Sequence, residues 1–254
     1  MKNRQIVRFC EAISITTLLL SASLSSSAQS AKISYGLSPA KPVGFDKLIW
    51  NVRVSLMEGQ MKNADAFWFL ENGFSGNADN KIQMGLRPAD SASKTKTVFL
   101  NFIGVGASAS TGNCKVELAG KNTVVGCKVN YDWQIGVVYK FVVELNGKST
   151  QAGMTRWIAT VVNSQTGETT QIGEVETPIS WGFLKPSSSC YTKWSYPLSG
   201  SPCNLEAPFE IISSAPIGFS KDMEYHSKFL SHSEKNPCVT FAVIDEFTVM
   251  VKEK

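Results

Sequence analysis

This chain of 254 residues has no surplus of charge of one sign: 25 Lys and Arg stand against 21 Asp and Glu, a formal net charge of +4. Removing a leader through Ala28 takes away Lys2, Arg4, Arg8 and Glu11, which leaves 22 basic against 20 acidic residues and a net charge of +2. Such a balance does not neutralise many phosphates, so it argues against a dedicated nucleic-acid binder. The only histidines are His226 and His232, and no H-E-x-x-H occurs. No C-x-x-C occurs either, which leaves a zinc site little support. Long apolar runs, proline-rich linkers and internal repeats are missing too, so one soluble domain over residues 29–254 is the expected organisation. No Walker loop is present, and Gly104-Val105-Gly106 is followed by Ala, Ser and Ala rather than a third glycine.

The N-terminus carries Lys2, Arg4 and Arg8, then an apolar stretch from Ala12 to Leu24, then Ser26-Ser27-Ala28. This three-part pattern predicts a signal peptide over residues 1–28, cleaved after Ala28, and a secreted or periplasmic protein. The apolar stretch is too short to span about 30 Å of hydrocarbon, so no transmembrane anchor is expected. Export makes disulfides the natural reading of the cysteines that remain: Cys114, Cys127, Cys190, Cys203 and Cys238. If Leu118 faces Thr123 across Ala119-Gly120-Lys121-Asn122, antiparallel counting sets Val116 opposite Val125 and Cys114 opposite Cys127. Cys190 and Cys203 share that spacing and would clip a Ser/Pro/Gly-rich loop, with Cys238 able to replace either partner.

The hydrophobic period is two. In Tyr139–Leu145 the Tyr, Phe, Val143 and Leu side chains share one face, and Lys140 and Glu144 the other, as in a half-buried antiparallel strand. Similar runs occupy Leu48–Met57, Ala66–Leu70, Lys81–Leu86, Thr97–Ile103, Thr155–Val162 and Thr169–Val175. Others follow at Phe209–Ile212, Val239–Ile244 and Phe247–Lys252. Between them lie the turn formers Asn72-Gly73, Asp79-Asn80, Asn146-Gly147 and Gln165-Thr166-Gly167. The pattern predicts an all-β antiparallel sandwich or jelly roll, with one short helical piece over Ser220–Leu230.

From Trp50 to about Phe219, Phe67-Trp68-Phe69, Gly73-Phe74, Lys81–Leu86, Gly126-Cys127 and Tyr131-Asp132-Trp133 occur in order. Gly136, Tyr139-Lys140-Phe141, Trp157-Ile158-Ala159, Gly167, Ile172-Gly173 and Pro178 continue the series. This string resembles an uncharacterised family of secreted bacterial domains similar to concanavalin-like sandwiches. The resemblance implies that fold and an association with glycans, and carries no catalytic residues.

Aromatic residues are dense, with 14 Phe, 6 Trp and 6 Tyr. Indole and phenol rings stack on the flat C–H faces of sugars, while amides bond the hydroxyl groups. Trp50 and Trp157 read as core residues. Trp133, Trp194 and Tyr196, beside turns or in a loop, read as a stacking platform, with Asn72, Asn77 and Gln83 as hydrogen-bonding partners. The oxygen-rich segment Glu71–Asn80 could order a Ca²⁺ ion, but Asn, Asp and Gly are what any tight turn uses, and no cofactor is assigned. Paired carboxylates for glycoside hydrolysis would stand about 5–9 Å apart. No Glu-x-Asp-x-x-Glu strand occurs, and Glu174 and Glu176 read as a solvated strand edge. The expected role is therefore non-catalytic recognition of an extracellular glycan. The alternatives are a carbohydrate-active hydrolase or lyase with an unrecognised site, or a surface or host-interaction protein that binds a protein partner.

Overall fold

A computed structural model describes residues 28–37, 44–57, 65–89, 95–149, 151–195, 208–233 and 239–253. Along the chain run β1 (Ala28–Gly36), β2 (Lys47–Met57), β3 (Asp65–Phe74), β4 (Lys81–Arg87), β5 (Thr97–Gly104) and β6 (Ser108–Ala109). Next come β7 (Cys114–Ala119), β8 (Asn122–Asn130), β9 (Val138–Lys148), β10 (Met154–Asn163), β11 (Thr169–Pro178) and β12 (Leu184–Ser195). The chain continues through β13 (Phe209–Ser214), β14 (Ile217–Ser220), β15 (Met223–His226), β16 (Lys228–His232), β17 (Val239–Asp245) and β18 (Thr248–Glu253). Among the described residues a 3₁₀ turn, Ile179–Trp181, interrupts them.

These strands form two antiparallel sheets packed as a sandwich. The first sheet has the order β16-β1-β12-β3-β4-β5-β8-β7, and the second β17-β18-β13-β2-β9-β10-β11-β6. Alternation sets the inward faces. In β2, Leu48, Trp50, Val52 and Val54 are buried while the residues between them are half-exposed. In β5, Val98, Leu100 and Phe102 do the same from the other sheet. The two inward faces form one apolar core, and removing that surface from water is what drives the layers together.

Every strand run read from the sequence is present, but the turn reading needs correction at two places. Asn72-Gly73 lies inside β3, and the chain turns later, over Ser75–Asn80. Asn146-Gly147 is a bulge within β9. Leu145 pairs with Trp157 and Lys148 with Thr155, so the extra residue is absorbed where Gly147 adopts φ +68°. The short helix expected over Ser220–Leu230 is a hairpin and a further strand, β14–β15–β16. The ring of Phe45 lies against Gly218, where a Cβ would come within 2.3 Å of it, and meets Tyr225 at 5.8 Å between centroids. Strand pairing of Gly218 with Tyr225 provides that contact, and tertiary packing overrides the local preference.

The hairpin β7–β8 has the register counted from the sequence. Cys114 faces Cys127, Val116 faces Val125 and Leu118 faces Thr123, and Ala119–Asn122 also pair, which tightens the turn to Gly120-Lys121. Cys114 and Cys127 form a disulfide. It projects between the sheets onto Gly173 of β11, where a Cβ would stand 2.5 and 2.7 Å from the two sulfurs. Cys190 is a correction. It carries a free thiol, 4% exposed, on the inward face of β12. Its expected partner Cys203 and the alternative Cys238 lie outside the described residues, as do residues 1–27 of the expected leader. No helix among the described residues is long and apolar enough to cross a membrane.

Candidate ligand-binding cleft

The side chains that point away from the core on the first sheet form rows across its strands. One row runs Ser189, Glu71, Gln83, Asn101, Gly126 and Lys115. The next runs Lys32, Tyr191, Phe69, Gly85, Phe99 and Lys128. Toward one end, Arg87 pairs with Thr97 and Thr97 with Asn130. Toward the other, Ile103 pairs with Val124 and Val124 with Glu117.

The outer face therefore carries an aromatic patch beside a polar row. Phe69 stacks on Tyr191 at 5.2 Å and 16°, and Phe67 meets Phe99 edge-on at 6.2 Å. A Cβ at Gly85 would stand 2.8 Å from the Phe69 Cβ and closer still to the β3 backbone, so only glycine allows β3 and β4 to approach this closely. Lys32 places its ammonium 5.5 Å from the Tyr191 ring, a cation–π contact at the margin of the cluster.

Between this cluster and the β7–β8 hairpin lies a cleft of about 700 Å³. Phe67, Phe99, Asn101, Gly126 and Lys128 line it from the sheet, Arg87 and Asn130 from one end, and Gly112 and Asn113 from the loop before β7. Lys115 and Glu117 of the edge strand complete the wall. Asn101 needs Gly126 beside it, because a Cβ there would be 3.1 Å from its Oδ1. The lining thus holds three cationic side chains and one carboxylate. Lys115, Lys128 and Glu117 form no ion pair among the described residues.

Next to the cleft, Gln83 Nε2 donates to Glu71 Oε2 at 2.7 Å, and Lys81 Nζ lies 3.1 Å from the same oxygen. The far acid in the cleft, Glu117 on β7, is four strand spacings from Glu71 on β3, or about 19 Å at the usual interstrand distance. That separation is too large for a glycosidase carboxylate pair, which needs about 5–9 Å.

The residues expected to form a stacking platform are placed differently. Trp133 is a correction: its ring is wholly buried, edge-on to Trp68 at 5.8 Å, with Nε1 donating to Arg87 O at 3.2 Å. Lys96 closes over it, 4.8 Å from the ring and 2.7 Å from Trp133 O. Asn72 is a second correction, at 2% exposure. Its Nδ2 donates to Lys185 O and Ser187 O, and its Oδ1 accepts from Lys185 N. That amide ties down the irregular stretch of β12 between Leu184 and Ser188. Asn77 is exposed and accepts from Asp79 N, closing its own turn. Gln83 alone flanks the cleft. Trp194 pairs through its backbone with Gln29 and Ala66 on a central strand, and its side chain, like all of Tyr196, lies outside the described residues.

In the segment read for calcium, Glu71 projects outward and Asn72 inward, so these two potential ligands do not converge. Glu176 is 4% exposed rather than solvated; its carboxylate accepts from Ser149 Oγ at 2.6 Å and Arg156 Nη2 at 3.3 Å. The site residues missed from the sequence are Phe67, Phe99, Asn101, Arg87, Lys115 and Lys128. The unbroken apolar run Phe67–Leu70 was the available signal, since a strand with one wet face would alternate.

No protein-family model matches this chain, and no curated protein matches it. Among solved structures it is similar to scytalidoglutamic peptidase bound to a peptide-based transition-state analogue, at 11% identity and a TM-score of 0.48 over 88% of this chain and 98% of that one. It is also similar to SCP-B, an eqolisin-family peptidase in complex with the tripeptide Ala-Ile-His, at 13% identity and a TM-score of 0.44 over 91% and 99%. The PL-14 alginate lyase from Aplysia kurodai matches at 7% identity and a TM-score of 0.32 over 62% and 71%. These likenesses are distant and transfer no residue role.

Proposed function

We propose that this protein binds an extended acidic glycan in the cleft on the outer face of its first sheet, without turning it over. The observation that carries the reading is the composition of that one cleft. Two half-buried phenylalanine rings, three asparagines and three cations line a volume suited to a few sugar units. Rings stack on sugar faces, amides exchange hydrogen bonds with hydroxyl groups, and Lys115 and Lys128 favour carboxylate or sulfate substituents over neutral sugars. Each contact contributes roughly 1 kcal/mol net at an open site, so the affinity is modest and depends on several sugars binding at once.

Affinity electrophoresis and titration calorimetry with polygalacturonate and with a neutral β-glucan test this. Binding to the acidic polymer should exceed binding to the neutral one and weaken with added salt. Phe99→Ala and Lys128→Ala should each weaken it by about fivefold, the equivalent of about 1 kcal/mol. No binding to either polymer, or full binding by the double variant, would refute the assignment.

A further inference from the structure

We infer that β7 is a self-complementary edge through which two copies of this chain pair antiparallel, joining their first sheets and their clefts. Among the described residues β7 is the last strand of its sheet, with β8 on one side only. Cys114 and Cys127 lie directly opposite each other with Cα atoms 3.9 Å apart, the close spacing of a pair that does not exchange backbone hydrogen bonds. The backbone N–H and C=O groups of Cys114, Val116 and Leu118 therefore point away from β8, toward the open edge. Cys114 N is bonded to Thr111 O; Val116 and Leu118 have no backbone partner there among the described residues. Their side chains are exposed as well, at 53% and 85%.

An open apolar edge is ordinarily blunted by charge. Here the charges are arranged so that a two-fold axis turns them into attraction. Centre the axis on Val116, and each Val116 N–H donates to the partner's Val116 carbonyl, while each Leu118 N–H donates to the partner's Cys114 carbonyl. Lys115 then stands opposite the partner's Glu117, and Glu117 opposite the partner's Lys115, in the close pairs that do not share backbone bonds. Two ion pairs form on the cleft face, and Val116 and Leu118 of both copies meet on the other. A Cβ at Gly112 or Gly120, on either side of this contact, would meet nothing within 4 Å, so neither flank crowds the approach, and only the Cys114 N–H is already taken, by Thr111 O. The axis is perpendicular to the sheet, which keeps both clefts on one side and makes Lys115 and Glu117 shared walls of a single longer groove. Such an isologous contact closes on itself and does not grow into a filament.

The paired segment is short, so the dimer is weak, with a Kd on the order of 100 µM. Sedimentation equilibrium over a concentration series tests it, together with hydrogen exchange at the Val116 and Leu118 amides, which should slow as concentration rises. Lys115→Glu and Glu117→Lys each set two like-charged pairs face to face and should weaken dimerisation at least about tenfold. The two substitutions together restore opposite charges and should restore the dimer. All three change exposed side chains, which keeps the comparison free of folding effects. A wild-type protein that stays monomeric at about 1 mM, ten times the expected Kd, or a dimer indifferent to both single reversals, overturns the inference. Binding of polygalacturonate by such a monomer would sink the dimer and leave the glycan reading standing.

Discussion

Asn72 separates a structural amide from a ligand-binding one. Its side chain makes three hydrogen bonds to the backbone of β12, at 3.0 Å to Lys185 O, 3.1 Å to Ser187 O and 3.0 Å from Lys185 N. Truncation in Asn72→Ala removes all three at a site that is 2% exposed. At a net value of about 1 kcal/mol each, the sum is about 3 kcal/mol. Ser187 is exposed, so water can reach its carbonyl and recover part of that. The expected destabilisation is therefore about 2–3 kcal/mol, read as a lower urea midpoint with an unchanged slope. Asn77→Ala is the control, because its amide closes an exposed turn through one bond to Asp79 N, and its loss should stay below about 1 kcal/mol. Neither variant should change polygalacturonate affinity once stability is accounted for. If Asn72→Ala melts like wild type and loses binding instead, the assignment of this amide to the β12 irregularity is wrong.

The remaining predictions concern the sandwich interior. Replacing Cys114 and Cys127 together with Ala should destabilise by about 3 kcal/mol, the chain-entropy value for a loop of this size, as measured by denaturant titration. Gly173→Ala should cost about 1–3 kcal/mol by overpacking against the two sulfurs, and that penalty should shrink sharply when the disulfide is absent. Burial pushes the Cys190 thiol up to about 12 from 9.0, only partly offset by its hydrogen bond with Ser213. The folded state therefore holds a proton that the unfolded chain releases, so this thiol's contribution to stability is constant below pH 9 and falls above it, by about 1.4 kcal/mol per pH unit up to about 12. Burial raises the Tyr35 hydroxyl in the same way, adding a second loss above pH 10 that Cys190→Ala should retain while losing the earlier onset.

The fold was legible because burial in a two-layer sandwich is written in a period of two, as in β2, β5 and β9. What escaped was decided by neighbours rather than by local sequence. β12 contains Pro186 and Ser187-Ser188-Ser189, a poor strand by propensity, and it reads as a loop. It is nonetheless a central strand, with β1 pairing along one side and β3 along the other, and the amide of Asn72 bridges the stretch where its register slips. That one misreading accounts for another. Cys190 was expected to clip a loop and is instead a core thiol, and Tyr191 beside it stands in a row of the outer face, stacked on Phe69. The disulfide hairpin was read correctly because its evidence is local: both cysteines, the turn and the alternation lie within a few residues of one another.

The tryptophans show why Trp133, read as a stacking ring beside a turn, lies in the core instead. Trp50, Trp68, Trp133, Trp157 and Trp181 are all exposed by 2% or less. An indole fills a sandwich interior well provided its N–H finds an acceptor, and four of the five do. Trp50 donates to Ser213 Oγ, Trp133 to Arg87 O, Trp157 to Thr177 Oγ1 and Trp181 to Val105 O. The acceptors for Trp133 and Trp181 are backbone groups at the end of β4 and in the turn after β5, so a ring borne by a turn is drawn inward to tie that turn to the core. Proximity to a turn is therefore no sign that an indole faces solvent in this protein. The rings left for a ligand are phenylalanines, which have no polar atom to satisfy and sit on the outward face of β3 and β5. On that face they stand beside Glu71, Gln83 and Asn101, so apolar and polar groups adjoin there. Amides and lysines that form no ion pair among the described residues stand beside Phe67 and Phe99, the mixture on which the proposed glycan site rests.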